Sequence, residues 1–291
     1  MSSLSQQPGG SDLVVRTADG RALTGKSFGP VDGNPVLFVA GAGAGKSMRF
    51  GEQMLDRAHV RLLTMDRPGM GGSDVHPERT LASTAADYRA FVTGVLGAGV
   101  TLPVVANSQG SVFGLAAAAA GWVSRLVLVS PADEVAHPDV QAQVPEDAAR
   151  LAQLAADDPD EAARILGAFT ADAMAEMVLS SSDEADRRFY TSETFLPLYR
   201  RSLAEGFAND GAGYVRDTLI AMQPWPLRLG DVRCPVTILF GARDRSHSPD
   251  HGRTLADRIP DAVRQIVPDA GGALLWTHSE KVLAAALGQR D

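Results

Sequence analysis

Ser108 is the residue whose type and surroundings most clearly indicate nucleophilic chemistry. An apolar run, LPVVAN, ends at Asn107, and an alanine-rich helical pattern begins directly after the serine. Ala106 and Gly110 stand two residues before and after Ser108, and small residues at this spacing suit a strained strand-to-helix turn, the nucleophile elbow. The serine would lie at a helix N-terminus, where unpaired N–H groups favour developing negative charge. Serine also caps helices without any catalytic role, but the flanking strand and helix favour a nucleophile.

A glycine-alternating stretch earlier in the chain raises a competing interpretation. The sequence VLFVAGAGAGKS occupies residues 36–47, and it resembles a phosphate-binding loop if Ala40 replaces the first glycine. Such a loop wraps phosphates with backbone N–H groups and adds a lysine and a hydroxyl, here Lys46 and Ser47. A P-loop nucleotide hydrolase is a remote alternative, because it leaves the turn at Ser108 unexplained.

Composition and charge exclude several functional classes. The chain has 291 residues, of which 45% are hydrophobic and 21% are charged, so it can bury a sizeable core. Its formal charge of −8 argues against nucleic acid as a partner, since phosphate backbones need a basic surface. Cys234 is the one cysteine, which leaves no internal disulfide and no cysteine metal cluster.

The sequence gives no sign of a targeting segment or a membrane span. Its start, MSSLSQQPGGSD, lacks a basic region and an apolar region, so we expect no signal peptide and a cytoplasmic protein. Residues 91–124 carry no charge, but Pro103, Asn107, Gln109 and several glycines break this stretch into pieces shorter than a spanning helix. We expect a buried strand and a buried helix there, and no membrane partner.

Short β-rich runs alternate with helical patterns along most of the chain. Most runs are continuously apolar, as in strands that are covered on both faces of a mainly parallel sheet. The alternation predicts a doubly wound α/β architecture with right-handed crossovers. The predicted strands are DLVVRT, ALTGKSF, PVLFVA, VRLLTMD, LPVVAN, VSRLVLVS, PVTILFG and AVRQIVP. The predicted helices between them span residues 47–57, 80–97, 109–121, 249–258 and 278–288.

The alternation breaks once, between Asp133 and Gly230. This region replaces the strand signal with helical segments such as EDAARLAQLAADDPDEAARILGAF and YVRDTLIAM. Because sheet strands resume after it, we interpret residues 133–230 as a helical lid inserted into a core formed by residues 1–132 and 231–291. A separate helical domain is the alternative.

Further motifs show a resemblance to the α/β-hydrolase fold family that covers nearly the whole chain. MDRPGMGGSD, from Met65, is similar to a turn found in many members, and ILFGARDRSHSP, from Ile238, resembles the segment after the seventh strand that carries their catalytic acid. The resemblance implies a mostly parallel eight-stranded sheet with flanking helices, Ser108 as nucleophile and Asp244 as acid. Asp133 is the fallback acid, because some relatives place it after the preceding strand.

The resemblance also gives the glycine-alternating stretch a different role. In relatives, the loop after the third strand supplies one backbone N–H to the oxyanion hole, and here that loop reads AGA at residues 40–42. The resemblance implies that Ala42 and Gln109 donate the two N–H groups. Lys46 and Arg49 are then expected at a helix start near the pocket mouth.

The third catalytic member of the family, a histidine soon after the last strand, is missing. Relatives often read GHLLW here, whereas this chain reads GALLW from Gly272, so we assign the vacated position to Ala273. Either an engineered variant has alanine in place of histidine, or the chain naturally lacks the base. Without a base, serine is a poor nucleophile, and loss of a triad member costs on the order of 10⁴ to 10⁶ in turnover. We therefore expect a strongly impaired hydrolase.

Other histidines are weak substitutes on sequence grounds. His278 lies in the final helical pattern, and His247 lies close to Asp244 in the acid loop. His76 follows the DRPG turn. Surface or capping roles are favoured for all three.

Together these features predict a cofactor-independent serine hydrolase acting on an ester, lactone or related carbonyl of a small hydrophobic molecule. Aromatic side chains of the lid would line an apolar pocket. The expected pocket residues are Gly41, Tyr190, Phe195, Tyr199 and Trp276. The alternative from a different class is a non-hydrolytic member of the same fold, such as a lyase, a cyclase, a cofactor-free oxygenase or a ligand-binding protein that has discarded the base.

Overall fold

Eight strands form one sheet in the computed structural model, which describes residues 10–289. Residues 1–9, for which the sequence predicts no signal peptide, and residues 290–291 lie outside this range. The strands are β1 (Ser11–Arg16), β2 (Ala22–Phe28), β3 (Asn34–Val39), β4 (Val60–Met65), β5 (Leu102–Asn107), β6 (Val123–Val129), β7 (Val236–Gly241) and β8 (Val263–Val267). Their order is β1-β2-β4-β3-β5-β6-β7-β8, with β2 antiparallel to both neighbours and all other pairs parallel. The predicted mostly parallel eight-stranded sheet is confirmed.

Helices flank the sheet and fill the interval between β6 and β7. They are α1 (Glu52–Leu55), α2 (Leu81–Leu96), α3 (Gly110–Ala119), α4 (Pro138–Gln141), α5 (Glu146–Asp157), α6 (Pro159–Gly167), α7 (Ala171–Ser181), α8 (Glu184–Tyr190), α9 (Phe195–Gly206), α10 (Ala212–Met222), α11 (Arg253–Asp257), α12 (Leu274–Thr277) and α13 (Ser279–Leu287). Four predicted helices correspond to α2, α3, α11 and α13. The helix predicted from residue 47 begins only at Glu52, because the preceding loop is irregular and Gly51 has a φ of 68°.

Burial of both sheet faces explains the continuous apolar runs of the central strands. Leu37 and Val39 of β3 belong to one hydrophobic core, which α2 and α3 cover. Val36 and Phe38 of the same strand belong to a second core, which includes side chains of α12 and α13. Successive side chains of a strand point to opposite faces, so a strand between two cores must be apolar at every position.

Helices α4–α10 occupy the interval predicted as a lid, and carboxylates from three of them dock on the carboxyl-terminal edge of the sheet. Each carboxylate accepts hydrogen bonds from a loop or side chain of the surrounding core. The docking pairs are Asp217 with Arg67 and Arg79, Glu205 with Ser47, and Asp186 with the N–H of Gly272. The domain boundaries at residues 133 and 230 stay a prediction.

The uncharged stretch at residues 91–124 contains the end of α2, strand β5 and helix α3. Strand β5 and helix α3 are buried in the first core. Within residues 10–289, no helix combines the length and the hydropathy that crossing a membrane requires.

Candidate active site

Ser108 lies at a tight turn between β5 and α3, with a φ of +52°. A positive φ is uncommon for a residue with a side chain, so the surroundings must hold this conformation in place. The Ser108 N–H donates to the carbonyl of Val129 (3.2 Å), and the Ser108 carbonyl accepts from the N–H groups of Ser111 and Ala132. From residue 104 to residue 118, Ser108 is the one residue that is not buried. The turn therefore presents its hydroxyl where a substrate can reach it.

Small residues around this turn are required because backbones approach closely. A Cβ at Gly110 would lie 2.5 Å from the carbonyl oxygens of Val39 and Ala40, so only glycine fits there. A Cβ at Gly41 would lie 3.2 Å from the Cβ of Ser108. The loop after β3 is thus packed directly against the serine.

This loop and the residue that follows the serine each carry a backbone N–H without a protein acceptor in the described chain. Within residues 10–289, neither the N–H of Ala42 nor that of Gln109 donates to a protein acceptor. Arg67 fixes the loop, because its guanidinium donates to the carbonyls of Ala40 (2.8 Å) and Gly41 (2.9 Å). Two N–H groups are therefore available for a negatively charged oxygen next to the hydroxyl.

Arg67 is itself held by an ion-pair network that reaches into the helices between β6 and β7. Asp217 of α10 pairs with both Arg67 and Arg79, and all three side chains are buried. Burial opposes a charged guanidinium, but Asp217 raises the pKa of Arg67 above its ordinary value, so the guanidinium stays charged. Helix α10 thus helps to position the loop that carries Ala42.

Asp244 follows β7 and is buried beside the imidazole of His247. Nδ1 of His247 lies 3.0 Å from Oδ1 and 2.9 Å from Oδ2 of Asp244, and the N–H of Ser246 donates to Oδ1 at 3.0 Å. Burial alone would raise the pKa of Asp244, but the charge and hydrogen bond of His247 and the Ser246 N–H lower it to about 2. The carboxylate stays ionised at neutral pH and can orient an imidazole.

His247 is the site residue that the sequence analysis did not favour. Its ring lines the same cavity as Ser108, and Nε2 has no hydrogen-bond partner in the described chain. Burial opposes protonation, but Asp244 and, to a smaller extent, Asp186 raise the pKa of His247 above its ordinary value of 6.5. The sequence signal that could have found His247 is its spacing of three residues from Asp244 within one tight loop.

Gly272, in the loop after β8, lies near Asp244, and the assignment of the vacated histidine position to the next residue, Ala273, stays a prediction. Ala273 is fully buried and packs in the second core with Leu274. Gly272 lines the cavity, and a Cβ there would lie 3.4 Å from Oδ1 of Asp244 and 3.5 Å from Cε1 of His247. The imidazole of His247 therefore lies next to position 272 of this loop.

Ser108 and His247 open into a cavity of about 140 Å³ that helices α7, α8 and α9 cover. In the described chain, the cavity lining contains no lysine, arginine, aspartate or glutamate. All of the predicted pocket residues line it: Gly41, Tyr190, Phe195, Tyr199 and Trp276. Three methionines complete much of the apolar wall: Met48, Met174 and Met177. The cavity suits a small uncharged molecule.

Aromatic side chains give this cavity a rigid wall. Phe195 packs edge-on against Trp276 with ring centroids 4.9 Å apart, and the Trp276 indole N–H donates to the carbonyl of Arg49 at 2.9 Å. Burial raises the pKa values of Tyr190 and Tyr199, so both phenols stay neutral. Arg49 was expected at a helix start, but it lies in a loop.

Asp186 of α8 is a second carboxylate near the cavity, and the sequence analysis missed it. It accepts the N–H of Gly272, in the loop before α12, at 2.6 Å. Burial raises the pKa of Asp186 above its ordinary value. No local pattern marks this aspartate, because its partner lies 86 residues away in sequence.

The glycine-alternating stretch is not a phosphate site, because its polar groups already donate hydrogen bonds to carboxylates of the protein. Asp66 accepts from the backbone N–H of Lys46 (2.6 Å) and pairs with the Lys46 ammonium (2.7 Å). Glu205 accepts from the N–H (2.8 Å) and the hydroxyl (2.5 Å) of Ser47. The next helix, α1, begins beyond this loop. The P-loop interpretation is wrong, and so is the expectation that Lys46 stands at a helix start.

The remaining candidates lie away from the cavity of Ser108. Asp133, the fallback acid, pairs with Arg258 at 3.3 Å and lines a separate cavity of about 130 Å³. Neither His76 nor His278 belongs to the described residues that line the cavity of Ser108. Residues 10–289 contain no group of three or more His, Cys, Asp or Glu side chains that could hold a metal ion.

Comparison with known proteins gives the family and the fold. A model of the Alpha/beta hydrolase family matches residues 36–286. The enol-lactonase from Burkholderia xenovorans LB400 is 20% identical with a TM-score of 0.68, over 95% of this chain and 100% of that chain. A hydrolase from Pseudomonas aeruginosa PA01 is 19% identical with a TM-score of 0.69, over 96% and 99%. The esterase RhEst1 from Rhodococcus sp. ECU1013 is 22% identical with a TM-score of 0.64, over 96% and 98%.

At these identities the structural likeness shows the fold alone. In sequence, no protein of curated function matches this chain.

Proposed function

The chain belongs to the Alpha/beta hydrolase family, and on that basis we propose that it hydrolyses an ester or a lactone of a small, neutral, hydrophobic molecule with Ser108 as its nucleophile. One observation carries the proposal. Ser108, held at a φ of +52°, opens into the same cavity as an imidazole that the carboxylate of Asp244 orients. The esterase and the enol-lactonase that share this fold perform reactions of this class.

The reaction begins when the hydroxyl oxygen of Ser108 attacks the carbonyl carbon of the substrate. The carbonyl oxygen becomes an oxyanion, and the N–H groups of Ala42 and Gln109 stabilise it by donating hydrogen bonds. The ester C–O bond then breaks and leaves an acyl group on the serine, which water removes in a second step. Loss of one such donor typically lowers turnover by about 10²–10³.

The cavity sets the substrate class. Its volume of about 140 Å³ is close to the roughly 150 Å³ that holds one benzene ring, so the acyl or lactone portion is about the size of one ring. The described lining offers no lysine or arginine to pair with a carboxylate substrate and no aspartate or glutamate to pair with an amine. Neutral phenols from Tyr190 and Tyr199 lie among apolar side chains. Short or monocyclic neutral substrates fit these constraints best.

Turnover of p-nitrophenyl acetate and benzoate, compared with the decanoate and with small lactones, tests the proposal. We expect the wild type to prefer the short and monocyclic acyl groups, and S108A to lower kcat/KM by at least ~10³. S111A is the matched control, because Ser111 lies three residues after Ser108, in the first turn of α3, but is fully buried outside the cavity lining. A folded wild type that binds these compounds without hydrolysing them would favour the lyase or ligand-binding alternative.

A further inference from the structure

We propose that His247 is the general base of this enzyme, supplied by the loop that also carries the acid, and that Gly272 leaves room for it. The inference rests on the proposed function, because a base for Ser108 has meaning only if Ser108 attacks a carbonyl. It replaces the expectation that the chain lacks a base.

Asp244 orients the imidazole of His247. Nδ1 of His247 lies 3.0 Å and 2.9 Å from the two oxygens of Asp244, so the Nδ1–H donates to the carboxylate. This fixes the tautomer in which Nε2 carries a lone pair. Within the described chain Nε2 has no partner, and the ring lines the cavity of Ser108. The arrangement has the acid–imidazole half of a catalytic triad.

The space beside Asp244 and His247 would not hold a second imidazole without conflict. A Cβ at position 272 would lie 3.5 Å from Cε1 of His247 and 3.4 Å from Oδ1 of Asp244. A histidine extending from position 272 would therefore compete with His247 for the same carboxylate and the same volume. Glycine at position 272 removes that conflict, so a single imidazole occupies the site and comes from the loop after β7.

Among the described residues near the cavity, no other group competes with His247 for the role of base. Asp186 accepts the N–H of Gly272 and is not among the described residues that line this cavity. Burial keeps the phenols of Tyr190 and Tyr199 protonated. His247 is the one imidazole among the described residues that line this cavity.

The proton then follows a closed path. Nε2 of His247 takes the hydroxyl proton of Ser108 as the serine oxygen bonds to the carbonyl carbon. The imidazolium gives that proton to the alkoxide that leaves when the ester C–O bond breaks. Water next attacks the acyl group and gives a proton to Nε2, which returns it to the serine oxygen as the acid product leaves. Asp244 stays ionised throughout.

Kinetics of H247A and H247Q test the proposal in the full-length chain, with thermal unfolding as a check that both variants fold. We expect kcat/KM for p-nitrophenyl acetate to fall by at least ~10³ in each variant. Free imidazole should restore part of the activity of H247A. H278A is the matched control and should keep wild-type activity, because His278 lies outside the cavity lining.

The double variant H247A/G272H separates a catalytic imidazole from a merely structural one. A histidine at position 272 can reach the same carboxylate, so we expect the double variant to exceed H247A by at least ~10² in kcat/KM. An active wild type whose activity survives in H247A and H247Q overturns the role of His247 and leaves the proposed function intact. A wild type without any esterase or lactonase activity, or one whose activity survives in S108A, overturns the proposed function and the base together.

Discussion

Two groups of polar residues lie along the carboxyl-terminal edge of the sheet, and they differ in whether their donors and acceptors have hydrogen-bond partners within the protein. Around the glycine-alternating loop, each polar side chain is bonded to another: Lys46 to Asp66, and Ser47 to Glu205. Around the cavity, donors and acceptors have no protein partner within residues 10–289: the hydroxyl of Ser108, Nε2 of His247, and the N–H groups of Ala42 and Gln109.

This difference indicates that the paired residues have a structural role and that the unpaired residues are available for chemistry. Buried polar groups are costly when they are left without partners, so a folded protein normally pairs them. The paired group holds the loop after β3 against helix α9, while the unpaired group is available to a substrate. Substitutions in the paired group should change stability more than activity, and substitutions at the cavity should do the reverse.

The largest effect on stability should come from D66A. Asp66 is fully buried and accepts from Lys46 and from the hydroxyl of Thr24 (2.7 Å), so its loss leaves a largely buried ammonium unpaired. We expect the free energy of unfolding, measured in urea, to fall by about 3–5 kcal/mol. D231A is the matched control, because Asp231 and its partner Arg228 are both exposed, so its loss should cost less than about 1 kcal/mol. A D66A protein as stable as the wild type would contradict the structural role of this group.

A smaller loss of stability is expected for E205Q. Glu205 of α9 accepts two hydrogen bonds from Ser47, and glutamine keeps the shape but loses the charge. Because hydrogen bonds to charged groups contribute about 1.5–3 kcal/mol, we expect the free energy of unfolding to fall by about 1–2 kcal/mol. The kcat/KM for p-nitrophenyl acetate should stay within about tenfold of the wild type, since rates respond to transition-state contacts. A loss as large as that of S108A would place Glu205 in the catalytic site.

A shift in pH dependence is expected for D186N. Asp244 from its own loop and Asp186 from α8 both favour the protonated form of His247, so the pKa of His247 lies above 6.5. The base must be neutral, so kcat/KM should fall as pH drops through that pKa. Removing the charge of Asp186 lowers the pKa, and the acid limb of kcat/KM should move to lower pH. E184Q on the same helix, where Glu184 is exposed, should leave the limb in place.

The smallest effect is expected for G272H in the otherwise unchanged chain. If His247 already serves as base, a second imidazole would only compete with it for the carboxylate of Asp244. We therefore expect kcat/KM to stay within about tenfold of the wild type or to fall. A rise of several orders of magnitude would show that the site lacked a base, as the sequence analysis expected.

The sequence predicted the sheet well because its signals are local. The apolar run before Ser108 and the one before Asp244 each became a buried strand whose carboxyl end carries the residue. Small residues at 106 and 110 marked the turn. The start of α1 was missed, since Gly51 and the irregular loop before it depend on contacts with distant residues.

The errors at the site come from residues that meet only in three dimensions. The match to a phosphate-binding loop could not reveal that Asp66 and Glu205 accept the hydrogen bonds that a phosphate would otherwise accept. The choice between Gly272 and Ala273 depended on which of two adjacent residues the loop after β8 turns towards the cavity. The place of His247 in the cavity was missed, because its distance from Ser108 in sequence says nothing about a shared cavity.

The most direct test of the central claim is the rate and position of covalent labelling by diethyl p-nitrophenyl phosphate. We predict stoichiometric release of p-nitrophenolate, a diethylphosphoryl group at Ser108 on its tryptic peptide by mass spectrometry, and a labelling rate at least ~10² lower in H247A. Labelling at another residue, or an unchanged rate in a folded H247A protein, would contradict the central claim.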